Sequence, residues 1–279
     1  MNIGDELGNY VIDAEIGSGT FGVVYRAHNK TYVEMQRAIK VLRSGAQHDP
    51  ELAKLFEREA AILQTVDSPH VCRIFDVGHT PDKRPYITME LLEGETLAQA
   101  LTRGPLAIEV ALDYVRQICE GLAEVHRQNI IHRDVKPANI FVTTRAGRPV
   151  LKLLDFNISK RVRPVVGTTL SNSEAGPGTD HYMSPEQITE PDTVDATTDV
   201  WALGAVLFEM VAGFPPFRGT NPGAIKVSIV TGNRHALPPA ASSVRAIIDG
   251  CLAERGRRFT LADLAAEVTK ALGSRTAPS

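Results

Sequence analysis

Residues 130–157 carry two carboxylates, an amide and a lysine at spacings suited to chemistry on a phosphate group. The stretch reads IIHRDVKPANIFVTTRAGRPVLKLLDFN. Asp134 precedes Lys136 and Asn139 closely, and Asp155 follows after an apolar and basic interval. Such a set can hold a metal ion and receive a proton at the same place.

Phosphoryl transfer requires an acceptor hydroxyl held in line and a divalent metal that neutralises the phosphates. Magnesium prefers oxygen ligands, which Asp155 supplies as a carboxylate and Asn139 as an amide carbonyl. Asp134 is then left to accept or orient the proton of the attacking hydroxyl, and Lys136 can reach the transferred phosphate. The sequence therefore predicts a phosphoryl-transfer site. The alternative is an ordinary polar turn between two strands.

Composition agrees with a medium-sized enzyme. The chain has 279 residues, of which 43% are hydrophobic, enough for a large core or two lobes. A net charge of -3 and the lack of a basic stripe with interleaved aromatics give no reason to expect nucleic acid as a partner. Cys72, Cys119 and Cys251 lie too far apart to indicate a disulfide framework or a thiolate metal site. With no leader-like start and no apolar run of membrane-spanning length, we expect a cytoplasmic protein.

A glycine motif near the N-terminus, GSGTFG, begins at Gly17 and ends at Gly22. Dinucleotide-binding folds share this G-x-G-x-x-G spacing, but they place a helix after the glycines. Here Val23, Val24 and Tyr25 continue as a strand. The pattern predicts a strand–turn–strand whose glycines let backbone N–H groups approach phosphates without interference from side chains.

Lys40 stands in the apolar run 37–42, which predicts a strand. A lysine there can bind phosphates if a carboxylate holds it, whereas the alternative is a lysine at a strand edge exposed to water. Apolar residues at helical spacing in 51–66 predict a helix that offers such a carboxylate. Glu59 is the candidate, Glu57 is the second choice, and a merely solvated glutamate is the remaining alternative.

Further elements follow in order. The run 86–94 predicts a buried strand passing into an extended stretch, and 108–127 a long amphipathic helix. Residues 158–180 are too long and irregular for an ordinary connection. They lead into the motif GTDHYMSPE at 178–186, and an apolar helix begins near Asp199 and ends at 213–217.

These motifs together resemble the eukaryotic-type (Hanks-type) serine/threonine protein kinase family, in a style typical of bacteria. The resemblance covers residues 10–272 and includes H-R-D-x-K-x-x-N at 132–139, A-I-K ending at Lys40, and a G-T-x-x-Y-x-A-P-E motif in which Ser184 replaces alanine. The metal motif D-F-G also departs, because Asn157 replaces its glycine.

The resemblance implies an α+β, two-lobed protein kinase fold. The small lobe, residues 1–92, would be mainly antiparallel sheet with one helix. The large lobe, 93–272, would be mainly α-helical, with ATP bound between the two. Residues 273–279 would form a disordered tail.

By the same resemblance the chain transfers the γ-phosphate of ATP to serine or threonine hydroxyls of protein substrates, with Mg²⁺ or Mn²⁺ as the metal. The expected catalytic residues are Asp134, Lys136, Lys40 and Glu59, and the expected metal ligands are Asn139 and Asp155. The expected ATP-binding residues are Ile16, Gly17, Gly19, Gly22, Val24, Ala38, Lys40, Met89, Glu90, Leu92 and Phe141.

The same resemblance implies how the enzyme is regulated and which residues support the site structurally. Phosphorylation is expected at Thr168, Thr169, Ser171 or Ser173, with Arg133 receiving the phosphate. The expected structural residues are Thr179, Glu186, Asp199 and Arg258, with Arg258 pairing with Glu186. Two alternatives stay open. One is a catalytically weak scaffold that binds nucleotide, suggested by Asn157. The other is a phosphotransferase for small molecules, although enzymes of that class lack the motif that this chain has at 178–186. The sequence does not indicate an oligomeric state.

Overall fold

The computed structural model of the chain describes residues 1–19, 22–42, 50–155 and 179–276, with only the backbone given for residues 50–55, 59, 179, 275 and 276. The described chain divides into two compact units. The first is Met1–Glu93, and the second comprises residues 94–155 and 179–276.

The first unit is built on a six-stranded antiparallel sheet with the strand order β1-β2-β3-β4-β6-β5. Its strands are β1 (Glu6–Leu7), β2 (Tyr10–Ser18), β3 (Gly22–Asn29), β4 (Gln36–Leu42), β5 (Ile74–His79) and β6 (Pro85–Met89). The helix α1 spans Pro50–Leu63, so it ends before the predicted limit at residue 66.

Each face of this sheet carries a cluster of buried side chains. On one face, Leu42 and Ile87 pack against Phe56 and Ala60 of α1. On the other face, a second cluster is formed by Leu7, Ile12, Tyr25, Ala27, Ile39, Val41 and Tyr86. A strand covered on both sides reads as a nearly continuous apolar run, which explains why Lys40 stands out in the sequence of β4.

The second unit is mainly helical. Its helices are α2 (Leu97–Leu101), α3 (Ile108–Arg127), α4 (Pro185–Thr189), α5 (Thr197–Ala212), α6 (Pro222–Val230), α7 (Arg245–Cys251) and α8 (Leu261–Thr276). A three-stranded antiparallel sheet completes it, formed by β7 (Glu95–Thr96), β8 (Ile140–Arg145) and β9 (Arg148–Leu153).

Helix α5 lies at the centre of the second unit's core. Most of its side chains are buried, including Leu203, Val206, Leu207 and Phe208. The amphipathic helix α3 has the predicted bounds and packs its apolar face into the same cluster. Helix α5 ends at Gly213, whose φ of 81° lies in the left-handed region that glycine adopts without strain.

Helix α8 continues to Thr276. Residues 273–276 are therefore helical, which corrects the prediction that a disordered tail begins at 273. Residues 277–279 lie outside the described part. Among the described helices, none is both long and apolar enough to cross a membrane.

Candidate functional site

The carboxylate of Asp134 is held by two neighbours on its own loop. Lys136 Nζ lies 2.8 Å from Asp134 Oδ2, and Asn139 Nδ2 donates to the same oxygen at 2.9 Å. The side chains of Lys136 and Asp134 are only 17% and 11% exposed. A short 3-10 turn, Pro137–Asn139, brings the amide back to the aspartate. The predicted residues Asp134, Lys136 and Asn139 thus form one cluster.

The amide of Asn139 is oriented with its oxygen available to a hard cation. Its nitrogen donates to the backbone O of Asp134 and to Asp134 Oδ2, both at 2.9 Å, which uses both N–H groups of the amide. No residue in the described chain donates to Asn139 Oδ1. Amide and carboxylate oxygens are the ligands that Mg²⁺ takes. The donor set of Asn139 and the exposed Asp155 therefore fits magnesium.

Asp155 is anchored through the residue before it. Leu154 N–H donates to the backbone O of Asn139 at 2.8 Å, and Leu154 O accepts from the His132 ring at 2.9 Å. Arg133 and Asp155 both have positive φ, 61° and 46°, a conformation that costs roughly 1–2 kcal/mol for residues other than glycine. These bonds of Leu154 therefore connect the end of β9 to the loop around Asp134 and fix the backbone just before Asp155.

Asp199, in the first turn of α5, holds the backbone of this loop. Its Oδ2 accepts from His132 N–H at 2.9 Å and its Oδ1 accepts from Arg133 N–H at 2.8 Å. His126 Nε2 lies 2.8 Å from the same Oδ2. The Asp199 side chain is fully buried, and each of its oxygens has a polar partner. Asp199 therefore ties the loop backbone to the first turn of α5.

His132 is fully buried and serves as an internal connector. Its Nδ1 accepts from Asp134 N–H at 3.3 Å, so the proton belongs on Nε2, which donates to Leu154 O. Burial lowers the pKa of His132, although Asp199 and Asp134 act in the opposite direction. The ring is therefore neutral, and it links the loop to β9 without adding charge to the site.

Glu186 and Arg258 pair as expected. Arg258 Nη2 donates to Glu186 Oε2 at 3.0 Å, and Nη1 donates to Oε1. Burial alone would raise the pKa of Glu186, but the bonds from Arg258 bring it below its ordinary value. The guanidinium also lies over the Trp201 ring at 4.9 Å. The pair joins α4 to the segment before α8.

In the first unit, Lys40 lies on the sheet face that α1 covers. Val24 and Ile87 stand directly opposite Lys40 on the neighbouring strands, and Met89 stands opposite Ala38. Directly opposed residues share a face. The structure thus brings Val24, Ala38, Lys40 and Met89, all predicted to bind ATP, to one side of the sheet.

The glycine motif forms the end of the β2–β3 hairpin. Gly17 lies opposite Val24, and Gly19 N–H donates to Gly22 O at 2.9 Å. A Cβ on Gly22 would lie 2.6 Å from Val41 O, so glycine is required there by the close approach of β4. Ile16 is 49% exposed beside the turn. Residues 20 and 21 lie outside the described part.

Glu90, the residue that follows β6, has its backbone N–H engaged in a hydrogen bond. Glu90 N–H donates to Arg73 O at 2.9 Å, so a bond from the backbone of Glu90 to adenine would use its carbonyl. Leu92 lies two residues further on, still in the first unit. Phe141 lies on β8 in the second unit, and its ring approaches within 3.2 Å of the Cβ position at Gly94.

Glu57, the second-choice partner for Lys40, lies 2.9 Å from His79 Nε2 through its Oε1. The side chain of Glu59, the first choice, lies outside the described residues. So do Asn157 and the predicted phosphorylation sites Thr168, Thr169, Ser171 and Ser173, together with the side chain of Thr179. The roles of these residues stay predictions.

Three contributors to the site were not found by sequence reasoning. His126 bonds Asp199, Gln187 Nε2 donates to Arg133 O at 2.8 Å, and the Tyr182 hydroxyl donates to the half-buried Glu209. Burial raises the pKa of Glu209, and the bond from Tyr182 offsets part of the rise. Each contact joins residues far apart in the chain, so spacing along the sequence carries no sign of it.

A protein-family model described as "Protein kinase domain" matches residues 10–268. The chain therefore belongs to the protein kinase domain family.

Similar proteins agree with that family. A probable serine/threonine-protein kinase of Clostridium perfringens is 36% identical over 85% of this chain and 33% of its own length. The serine/threonine-protein kinase PknB of Mycobacterium tuberculosis is 35% identical over 79% of this chain and 35% of its own. The chain thus spans about a third of the length of these relatives.

Among solved structures, the PknI kinase domain of Mycobacterium tuberculosis matches 99% of this chain and 100% of its own, with a TM-score of 0.75 and 21% identity. At this identity the likeness concerns the fold, which is the two-lobed protein kinase fold that the sequence predicts.

Proposed function

We propose that this chain is a serine/threonine protein kinase that transfers the γ-phosphate of ATP to protein substrates. The observation that carries the proposal is the cluster around Asp134, in which Lys136 and Asn139 converge on one carboxylate oxygen. The described relatives are named serine/threonine-protein kinases. Lys136 after H-R-D is typical of that type.

In this proposal Asp134 accepts the proton of the substrate hydroxyl. Lys136 places its ammonium beside that carboxylate, where it stabilises charge on the transferred group. Asn139 Oδ1 and Asp155 would hold magnesium, which supplies neutralisation of the phosphate charge. The strand and loop contacts of Leu154 hold Asp155 at a fixed place relative to Asn139, and positioning of this kind accounts for much of enzymatic rate enhancement.

The first unit is proposed to bind the nucleotide. Its support is the shared sheet face of Val24, Ala38, Lys40 and Met89, with the glycine hairpin at the end of β3. Lys40 would bind the first two phosphates and Glu59 would position it. The Glu57–His79 contact favours Glu59 over Glu57, because it engages the Glu57 carboxylate elsewhere.

Two further parts of the proposal concern control and location. Phosphorylation among Thr168, Thr169, Ser171 and Ser173 would regulate the enzyme, since a phosphate pairs readily with an arginine such as Arg133. A cytoplasmic location is supported by Cys119 and Cys251, which are buried and form no disulfide within the described residues.

The proposal is tested by incubating the purified chain with radiolabelled ATP, Mg²⁺ and a generic protein substrate, followed by phosphoamino acid analysis. We expect label on serine and threonine, and we expect Lys40→Met to remove it while the thermal melt stays close to that of the wild type. Lys30→Met, at a surface lysine paired with Glu6, is the matched control and should keep activity. Label that persists in Lys40→Met would contradict the role of Lys40, and no label in the wild type would contradict the proposal.

A further inference from the structure

A groove of about 710 Å³ opens on the second unit near the turn Thr179–Tyr182. Its aromatic and cationic lining is formed by His181, Phe214, Pro215, Phe217, Arg218 and His235. None of the residues described above for phosphate transfer lines it, so it is a surface separate from the Asp134 cluster.

The aromatic wall of the groove is held in place by other rings. Phe214 is 39% exposed, and its ring meets Phe208 and His235 edge to face at 5.9 and 5.1 Å. Phe217 is buried and stacks on Trp201 at 5.5 Å. An apolar side chain entering the groove would therefore meet a preformed aromatic surface, which favours binding because little ordering is required.

The charge of the groove is positive. Arg218 is exposed, and its guanidinium has no carboxylate partner in the part of the chain that the structure describes. Burial and the nearby Arg218 lower the pKa of His235, so this ring is neutral near neutral pH. None of the described lining residues is acidic. The charge complementary to this rim is that of a carboxylate.

The groove and Asp134 lie on either side of one short turn. His181 lines the groove, while the next two residues, Tyr182 and Met183, line a small space together with Asp134. Gln187 fixes this turn to the loop through its bond to Arg133 O. Neighbouring residues of one short turn thus line the groove and a small space beside Asp134, which places the groove close to the expected position of the acceptor hydroxyl.

We propose that the groove binds a segment of the protein substrate distinct from the phosphorylated residue, through an aromatic or aliphatic side chain next to an aspartate or glutamate. The apolar side chain packs on Phe214, and the carboxylate pairs with Arg218. This inference rests on the proposed kinase function, and it assigns to the substrate a docking segment in addition to its acceptor residue.

The test uses a set of peptides with one acceptor serine and a Phe-Asp pair at increasing distance on either side, compared with Ala-Ala at the same positions. At one range of spacings we expect the Phe-Asp peptide to have a KM lower by about fivefold or more, as burial of one aromatic side chain permits. Fluorescence polarisation of labelled peptides in which alanine replaces the serine measures docking without ATP or transfer.

The variants are Phe214→Ala and Arg218→Ala, with Val227→Ala and Arg257→Ala as matched controls. Val227 is 63% exposed on α6 and Arg257 has a 76% exposed side chain, and neither lines the groove. We expect both groove variants to lose the KM advantage and the polarisation signal, and both controls to keep them. Thermal melts of all four establish that the fold is retained.

The outcomes separate the groove from the kinase activity. Peptide binding that depends on Phe214 and Arg218 without any phosphate transfer would contradict the proposed function and support the groove. Transfer with one KM for every spacing and no peptide binding would overturn the groove. So would binding that persists in both groove variants. Finally, a wild-type dimer that Phe214→Ala converts to monomer, with no peptide bound, would show that a second copy occupies the groove.

Discussion

Asp134 Oδ2 accepts from both the Lys136 ammonium and the Asn139 amide, and these two contacts fix the orientation of the carboxylate. A carboxylate fixed in this way keeps one orientation without reorganising when a hydroxyl arrives, which is how preorganised sites stabilise transition states. The strained backbone at Arg133 and Asp155 lies on either side of the same cluster. Strain of this kind persists where the surrounding contacts require it.

Asp134→Asn should reduce turnover by some hundreds-fold or more, equivalent to about 3–4 kcal/mol of transition-state stabilisation. The amide cannot take the proton, and its NH2 group would face the donors on Lys136 and Asn139. Steady-state kinetics with a peptide substrate measure the loss. Asp192→Asn, at an exposed position, is the matched control and should keep turnover. A folded Asp134→Asn enzyme with a tenth of wild-type turnover would contradict the assigned role.

His132 predicts how stability depends on pH. Because its pKa is lowered on folding, the unfolded chain binds more protons below the ordinary histidine pKa of about 6.5. The contribution of His132 to stability is therefore present above that pH and is lost as the pH falls toward the folded-state pKa. We expect the temperature of the unfolding midpoint to decrease as the pH is lowered from about 7 to about 5.

His132→Gln should flatten this decline, since its amide can donate to Leu154 O without titrating. Glu209, whose pKa is raised, acts in the opposite direction in both proteins and cancels in the comparison. Equal slopes for the wild type and His132→Gln would show that His132 does not titrate on unfolding.

At the scale of elements, α5 supports the site from within the core. Its first turn presents Asp199 to the loop, and its buried side chains contact α3 and α7. A second link is the buried pair of Arg258 and Glu186, which ties α4 to the segment before α8. This pair differs from the surface ion pairs of the protein in its burial, because its side chains are only 0% and 6% exposed.

Arg258→Met should lower the free energy of unfolding by about 3–5 kcal/mol, because it leaves the buried Glu186 carboxylate without its partner. Arg257→Ala breaks a neighbouring pair whose side chains are 76% and 81% exposed, and it should cost less than about 1 kcal/mol. Urea unfolding measures both. Adding Glu186→Leu to Arg258→Met should recover part of the loss, and equal losses for the two single variants would contradict the account.

Local pattern made most of these elements predictable. The bounds of α3 follow from its apolar periodicity, and the short apolar run around Lys40 predicts β4. The predicted end of α1 at residue 66 is too late, because Val66 continues the apolar spacing although the helix ends at Leu63. The predicted tail begins too early, because residues 273–276 extend α8 without adding apolar residues to its pattern.

At the scale of the whole molecule, the cluster around Asp134 is predictable because its motif is local, whereas the supports Asp199 and Arg258 follow only from the family resemblance. Asp134, Lys136 and Asn139 lie within one turn of chain, so their spacing implies their contact. His126, Gln187 and Glu209 act through partners up to 73 residues away, and only the folded chain brings those partners together. The groove beside His181 is not predictable for the same reason, because its lining combines three segments that are separated in sequence.

The chain has two units, each with its own core, and we propose nucleotide binding for the first and phosphate transfer for the second. The first presents Lys40 and the glycine hairpin on one sheet, and the second presents Asp134, Asn139 and Asp155 around one loop. Asn157 is the single departure from the metal motif, and asparagine is among the residues that best tolerate the left-handed conformation glycine would adopt. We therefore expect it to preserve catalysis.

The most direct test is the rate of magnesium-dependent phosphate transfer from ATP to a serine peptide by the wild type, Asp155→Asn and Asn157→Gly. We expect the wild type to turn over, Asp155→Asn to lose transfer, and Asn157→Gly to differ from the wild type by less than about tenfold, equivalent to roughly 1.4 kcal/mol. A wild-type chain that fails to transfer phosphate while Asn157→Gly succeeds would contradict the account and identify the natural chain as a nucleotide-binding scaffold.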